Sequence, residues 1–101
     1  MRYTAKFPNV AAQKKFLKEL SKIPKKDQVE ILEAIKKLES DPRPFGKKSF
    51  KQLAPPLEFY QHVAQYRVRV GSYRVLYDVE DHRQIVWIFA VRKKNESTYR
   101  T

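Results

Sequence analysis

Three arginines stand close together in the second half of the chain, in the run Tyr66-Arg67-Val68-Arg69-Val70-Gly71-Ser72-Tyr73-Arg74-Val75-Leu76-Tyr77. A guanidinium is a planar fork of donors that matches phosphate oxygens two at a time, so arginines grouped without carboxylates are suited to gripping a polyanion. The first acidic residue after them is Asp78. A second basic group, Arg92, Lys93 and Lys94, precedes Tyr99 and Arg100 near the end of the sequence. A phenol with an ordinary pKa of about 10 is a weak base at neutral pH, but nearby cations favour its phenolate. Tyr99 can therefore serve as a proton acceptor, as a stacking surface for a base, or as an aromatic packed on a sheet.

The elements that position these residues are legible from pattern. Tyr66 to Val70, Tyr73 to Val79 and Ile85 to Val91 are rich in β-branched and aromatic residues and read as strands, with a connection through Glu80 to Gln84. Gly71 and Ser72 suit a two-residue type II′ turn, which makes Val70 pair with Tyr73, Arg69 with Arg74, Val68 with Val75 and Arg67 with Leu76. Alternation then predicts Val68, Val70, Tyr73, Val75 and Tyr77 on the core face and Arg67, Arg69 and Arg74 on the other. Like charges facing each other across strands destabilise by the order of 0.2 to 1 kcal/mol. Arginines can merely solvate an open antiparallel sheet, but a bound phosphate removes this cost, and three together point to a polyanion site.

Upstream, Arg2 to Phe7 alternates as a first strand ended by Pro8, and Asn9 is a good helix cap. Ala12, Phe16, Leu20 and Ile23, with Leu17 beside them, recur at helical spacing, while lysines 14, 15, 18 and 22 take the other side. Pro24 opens a second helix with Ile31, Leu32, Ile35 and Leu38 as its apolar stripe, stopped at Asp41-Pro42. Pro42 to Pro56 contains four prolines, one glycine and Lys47, Lys48 and Lys51, and reads as an irregular basic surface loop. Leu57 to Val63 carries no decisive pattern. The predicted fold is α+β: an N-terminal strand and a helical hairpin packed on a twisted, mainly antiparallel sheet of about four strands, as a single domain over residues 1–101.

Composition narrows the function. A chain of 101 residues has room for one core, and 42% hydrophobic content can fill it. The net charge of +11, from 22 Lys and Arg against 11 Asp and Glu, favours nucleic acid or an acidic protein as partner, with solubility as the bland alternative. Without cysteine there are no disulfides and no thiolate sites. No apolar run approaches the roughly 18 residues needed to span a membrane and the first residues lack a signal-peptide centre, so a cytoplasmic protein is expected. His62 and His82 lie in unrelated segments with no carboxylate cluster at ligand spacing, and Gly46 and Gly71 form no phosphate-binding loop. Neither metal nor organic cofactor is expected; His62 is a minor candidate for the anion-facing side.

At these residues the sequence resembles the RelE/ParE superfamily of toxins from toxin–antitoxin modules. The resemblance covers the order of strand, helical hairpin, basic loop and hairpin, is most specific at Gly71 to Tyr77, and ends on the Arg-Lys-Lys…Tyr-Arg tail. RelE-type members are metal-independent ribonucleases that cut messenger RNA in the ribosomal A site and are held inactive by an antitoxin. By resemblance Arg67 and Arg69 match a basic pair that grips RNA and assists proton transfer, with arginine where RelE has lysine. Arg74 matches an arginine that stabilises charge on the phosphate, Lys93 or Lys94 a second phosphate-binding cation, and Tyr99 a base for the 2′-hydroxyl. The resemblance implies 2′,3′-cyclic phosphate and 5′-hydroxyl products. It also implies that Lys47, Lys48, Lys51, Arg92 and Arg100 hold message or 16S ribosomal RNA, and that a cognate antitoxin completes a hetero-oligomer. Two rivals remain: a ParE-like gyrase inhibitor without nuclease activity, and a non-catalytic RNA-binding module.

Overall fold

The computed structural model describes residues 2–59 and 62–93. In chain order the elements are β1 (Thr4–Lys6), α1 (Val10–Ser21), α2 (Lys25–Ser40), β2 (Phe50–Phe59), β3 (His62–Val70), β4 (Tyr73–Glu80) and β5 (Ile85–Lys93). The helices begin where the sequence predicts. Asn9 is extended and its side-chain oxygen accepts the Ala12 N–H at 2.7 Å, satisfying a donor that the first turn leaves open. Pro24 caps α2, where the N–H it lacks would find no helical partner anyway. The Gln28 side-chain amide donates to the Ile23 carbonyl at 2.7 Å and ties the short link to α2.

Both helices lie on one face of the sheet, where Phe16, Leu20, Ile31 and Leu38 meet Val75, Tyr77, Val86 and Ile88. The apolar stripes are narrower than their periodicity suggests. Leu17 and Leu32 are 48% and 50% exposed, because each helix turns only its Phe16-Leu20 or Ile31-Leu38 ridge to the sheet.

The sheet has five strands in the order β1-β5-β4-β3-β2, with β1 parallel to β5 and every other pairing antiparallel. The α+β class and the mainly antiparallel sheet hold, with five strands where about four are expected. Phe50–Phe59 is an edge strand, although Phe50 to Pro56 falls in the stretch whose prolines, glycine and lysines predict a loop and Leu57 to Phe59 in one without a decisive pattern. Its prolines fall at a register shift between Gln52 and Leu57, with Ala54–Pro55 cis, where missing N–H groups break no ladder. The other edge, β1, is short. There Glu39 of α2 accepts the Ala5 N–H on its carboxylate at 2.8 Å and the Tyr3 N–H on its carbonyl at 2.7 Å.

A small second cluster of Leu53, Ala64, Leu76 and Ala90, with Leu57 and Phe89 against it, lies apart from the helix-side core. The loop after α2 is fastened to the sheet from below. Arg43 forms a two-pronged pair with Asp81 at 3.0 Å on each prong and donates through Nε to the Tyr66 hydroxyl at 2.8 Å. The Tyr3 hydroxyl also donates to Asp81, at 2.6 Å, and the Tyr77 hydroxyl to the Pro42 carbonyl at 2.7 Å. Hydrogen bonding by Arg43 holds the Asp81 carboxyl below the usual range.

Candidate phosphate-binding face

The hairpin register is the one that Gly71-Ser72 implies. Val70 pairs with Tyr73, Arg69 with Arg74, Val68 with Val75 and Arg67 with Leu76. Gly71 has φ +59° and Ser72 stays out of the positive region, the signature of a type II′ turn. Val68, Val75 and Tyr77 enter the helix-side core, with Val70 and Tyr73 packed at its rim. Arg67, Arg69 and Arg74 therefore share the opposite face.

The next strand extends this face. Arg92 of β5 is the partner of Arg74, so Arg69, Arg74 and Arg92 form one rung across β3, β4 and β5. With strands about 4.8 Å apart, the rung spans roughly 10 Å. The adjacent rung runs Lys51, Arg67, Leu76, Ala90. Leu76 and Ala90 belong to the second apolar cluster, so the four half-buried arginines border a dry floor instead of an open solvated sheet. Charge interactions strengthen beside such a floor.

One carbonyl joins the basic loop to this face. Ser49 O accepts the Arg69 backbone N–H at 2.7 Å and Nη1 of Arg67 at 2.8 Å. This bond holds the segment with exposed Lys47, Lys48 and Lys51 beside the arginines. Further along the same face of β4, burial raises the Asp78 carboxyl above its usual value, opposed in part by hydrogen bonds from Val79 and Gln65.

The expected site residues separate into three groups. Arg67, Arg69, Arg74, Arg92 and Lys51 share the face, with Lys47 and Lys48 on the adjoining loop. Lys93 does not join them: it pairs with Tyr73 and, with Glu19, Lys22 and Ile23, lines a helix-side cavity of about 220 Å³. Side-chain alternation puts Arg92, and not Lys93, on the arginine face. Lys94, Tyr99 and Arg100 lie outside the described residues. His62 stacks on Phe89 with ring centroids 5.6 Å apart, and His82 occupies the exposed turn after β4. The Arg43–Asp81 pair had no sequence signal, since its members are 38 residues apart.

A family model of phage-derived Gp49-like proteins matches residues 18–101. The chain belongs to this family. No curated protein sequence matches it significantly. Among solved structures, this Gp49-like chain is similar to RelE in the archaeal RelE–RelB complex from Pyrococcus horikoshii, with 27% identity and a TM-score of 0.71 over 95% of this chain and 99% of that one. It also shares the fold of the toxin–antitoxin complex RelBE2 from Mycobacterium tuberculosis, with 24% identity and a TM-score of 0.62 over 92% and 99% of the two chains. The Escherichia coli RelBE complex matches at 18% identity and a TM-score of 0.56, over 93% of this chain and 99% of that one. The resemblance to RelE toxins that the hairpin carries in sequence thus extends through the whole fold. Among the described residues no helix is long and apolar enough to cross a membrane.

Proposed function

We propose that this RelE-like chain is the toxin of a toxin–antitoxin pair and cleaves messenger RNA in the ribosomal A site as a metal-independent endoribonuclease. The observation that carries this reading is the Arg69-Arg74-Arg92 rung with Arg67 beside it. Attack of a 2′-oxygen on the adjacent phosphorus moves negative charge onto the non-bridging oxygens and then onto the leaving 5′-oxygen. Fixed guanidinium donors stabilise that charge without reorganising, and holding the strand in line supplies much of the remaining advantage. Arg74, in the middle of the rung, is assigned to the phosphate, with Arg69 and Arg92 on either side and Arg67 on the neighbouring nucleotide. Tyr99 is the proposed acceptor of the 2′-hydroxyl proton, with Lys94 as the tail cation and Arg100 as a further RNA-binding residue. The products are then a 2′,3′-cyclic phosphate and a 5′-hydroxyl. Lys47, Lys48 and Lys51 face ribosomal RNA.

The solved relatives are complexes of RelE with RelB, and the charge of this chain supports an acidic antitoxin as its own partner, in the cytoplasm. The test is cleavage mapping with purified protein and translating ribosomes. Wild type should cut in register with codons, and Arg74→Ala should lose about 10²- to 10³-fold in rate, the usual cost of one preorganised donor. Trapping of gyrase on DNA with intact message would instead assign the ParE-like activity. Undiminished growth arrest by Arg74→Ala would overturn the arginine rung as the site.

A further inference from the structure

Arg67 is held by a contact that leads away from the phosphate face. Its Nη1 donates to the Ser49 carbonyl at 2.8 Å, and the same carbonyl accepts the Arg69 backbone N–H at 2.7 Å. Ser49 ends a loop tied by successive backbone bonds, from the Phe45 N–H to the Arg43 carbonyl at 2.7 Å, the Lys47 N–H to the Pro44 carbonyl at 3.2 Å and the Phe50 N–H to the Lys47 carbonyl at 3.1 Å. The far end of that loop is fastened by a side chain directed to the helix side. Arg43 grips both oxygens of Asp81 at 3.0 Å and donates through Nε to the Tyr66 hydroxyl at 2.8 Å. Its guanidinium also lies 5.3 Å from the centre of the Tyr66 ring, and Tyr66 belongs to the helix-side core.

Strand pairing by itself anchors Ser49 over a short length. β2 is an edge strand, and Phe50, Lys51 and Gln52 are its paired residues before the register shifts at the prolines. The loop therefore depends on its other end, the Arg43 clamp. A long side chain that must be ordered on binding costs affinity, and one already held in place does not. With the loop clamped, the Ser49 carbonyl stays where it holds the Arg67 guanidinium. With the clamp released, RNA has to order Arg67 itself.

We infer that Arg43 is a positioning residue for the phosphate face: through the loop to Ser49 it preorganises Arg67 for RNA without touching the RNA itself. The inference rests on the RNA reading above and adds a device that holds its site. The test is equilibrium binding of a short 2′-O-methyl oligouridylate, which cannot be cleaved, to the full chain well below each variant's unfolding midpoint. Arg43→Gln should weaken binding about fivefold, the cost of ordering one long side chain, and leave the salt dependence unaltered, whereas Arg67→Gln should also lower the slope by about 0.7. Arg43→Lys, which keeps the charge without the fork, should weaken binding too. Asp81→Asn is the sharpest variant, and it stands in if Arg43→Gln does not fold. It loosens the clamp from the other end and raises the net charge, so a clamp predicts weaker binding and a diffuse field tighter binding. In the Arg67→Gln background neither Arg43→Gln nor Asp81→Asn should cost anything further. Tighter or unchanged binding by Asp81→Asn, a slope lowered by Arg43→Gln, full affinity in Arg43→Lys, or losses that add to that of Arg67→Gln would overturn the positioning role. Arg67→Gln is also the control for the underlying reading. If it binds RNA as wild type does, the phosphate face itself fails; if it weakens binding while the clamp variants do not, only the positioning fails.

Discussion

Arg74 has a like charge on either side, Arg69 across one pairing and Arg92 across the other. Each such juxtaposition opposes folding by a few tenths of a kcal/mol, and half-burial keeps water from screening it fully. Arg74→Gln removes both repulsions and keeps a polar side chain; relief of the repulsions alone contributes about 0.5 kcal/mol, or about 2 to 4 °C in unfolding midpoint for a domain of this size. The same variant should lose cleavage. Thermal unfolding of both proteins at low salt checks the sign, and a fall in the midpoint would mean that Arg74 has a structural role. The sequence was a good guide at this scale wherever a residue lies on a regular strand. It placed Arg67, Arg69 and Arg74 correctly from two turn residues. It leaves the tail cation open between Lys93 and Lys94, because one step along a strand is a change of face and tail composition does not say which step.

Among the elements, the long connection after α2 depends most on contacts that sequence does not display. Arg43 joins Asp81 and Tyr66 across large separations, and Tyr3 adds the N-terminal strand to the same carboxylate. Asp81 has its folded pKa lowered by these bonds. A carboxylate of this kind contributes stability above the unfolded value of 3.8, and the contribution is lost as pH falls through the lower folded value. Asp81→Asn should therefore be less stable than wild type at neutral pH, and the two unfolding curves should converge as pH falls below the lowered folded value. A difference that persists into acid would assign the effect to side-chain shape and not to charge. Prolines explain the other omission. The four prolines, glycine and lysines of Pro42 to Pro56 favour a loop in sequence, yet an edge strand tolerates Pro55 and Pro56 where the ladder shifts. The helices were legible because caps and periodicity agreed, yet Leu17 and Leu32 show that periodicity marks an apolar side without saying how wide a face the sheet will cover.

For the whole molecule, the question is whether a net charge of +11 attracts RNA as a diffuse field or through a site. The lysines of α1 lie on the helix side, Lys93 lines a helix-side cavity, and Arg67, Arg69, Arg74, Arg92 and Lys51 share the other face. A diffuse field makes every cation count alike. A site does not, because only cations that replace condensed counterions on a phosphate enter the salt dependence. If the four arginines each neutralise one phosphate of a single strand, the logarithm of the binding constant should fall with the logarithm of salt at a slope near −2.8, about 0.7 for each contact. Arg92→Gln should then reduce the slope by about 0.7, while Lys93→Gln and Lys14→Gln should leave it unchanged although each removes the same charge from the molecule. Equal reductions for all three would mean that RNA senses only the net charge, and the arginine face would lose its claim to be a site. The contrast between neighbours Arg92 and Lys93 is the sharpest part of this test, since nothing but the alternation of a β-strand separates them.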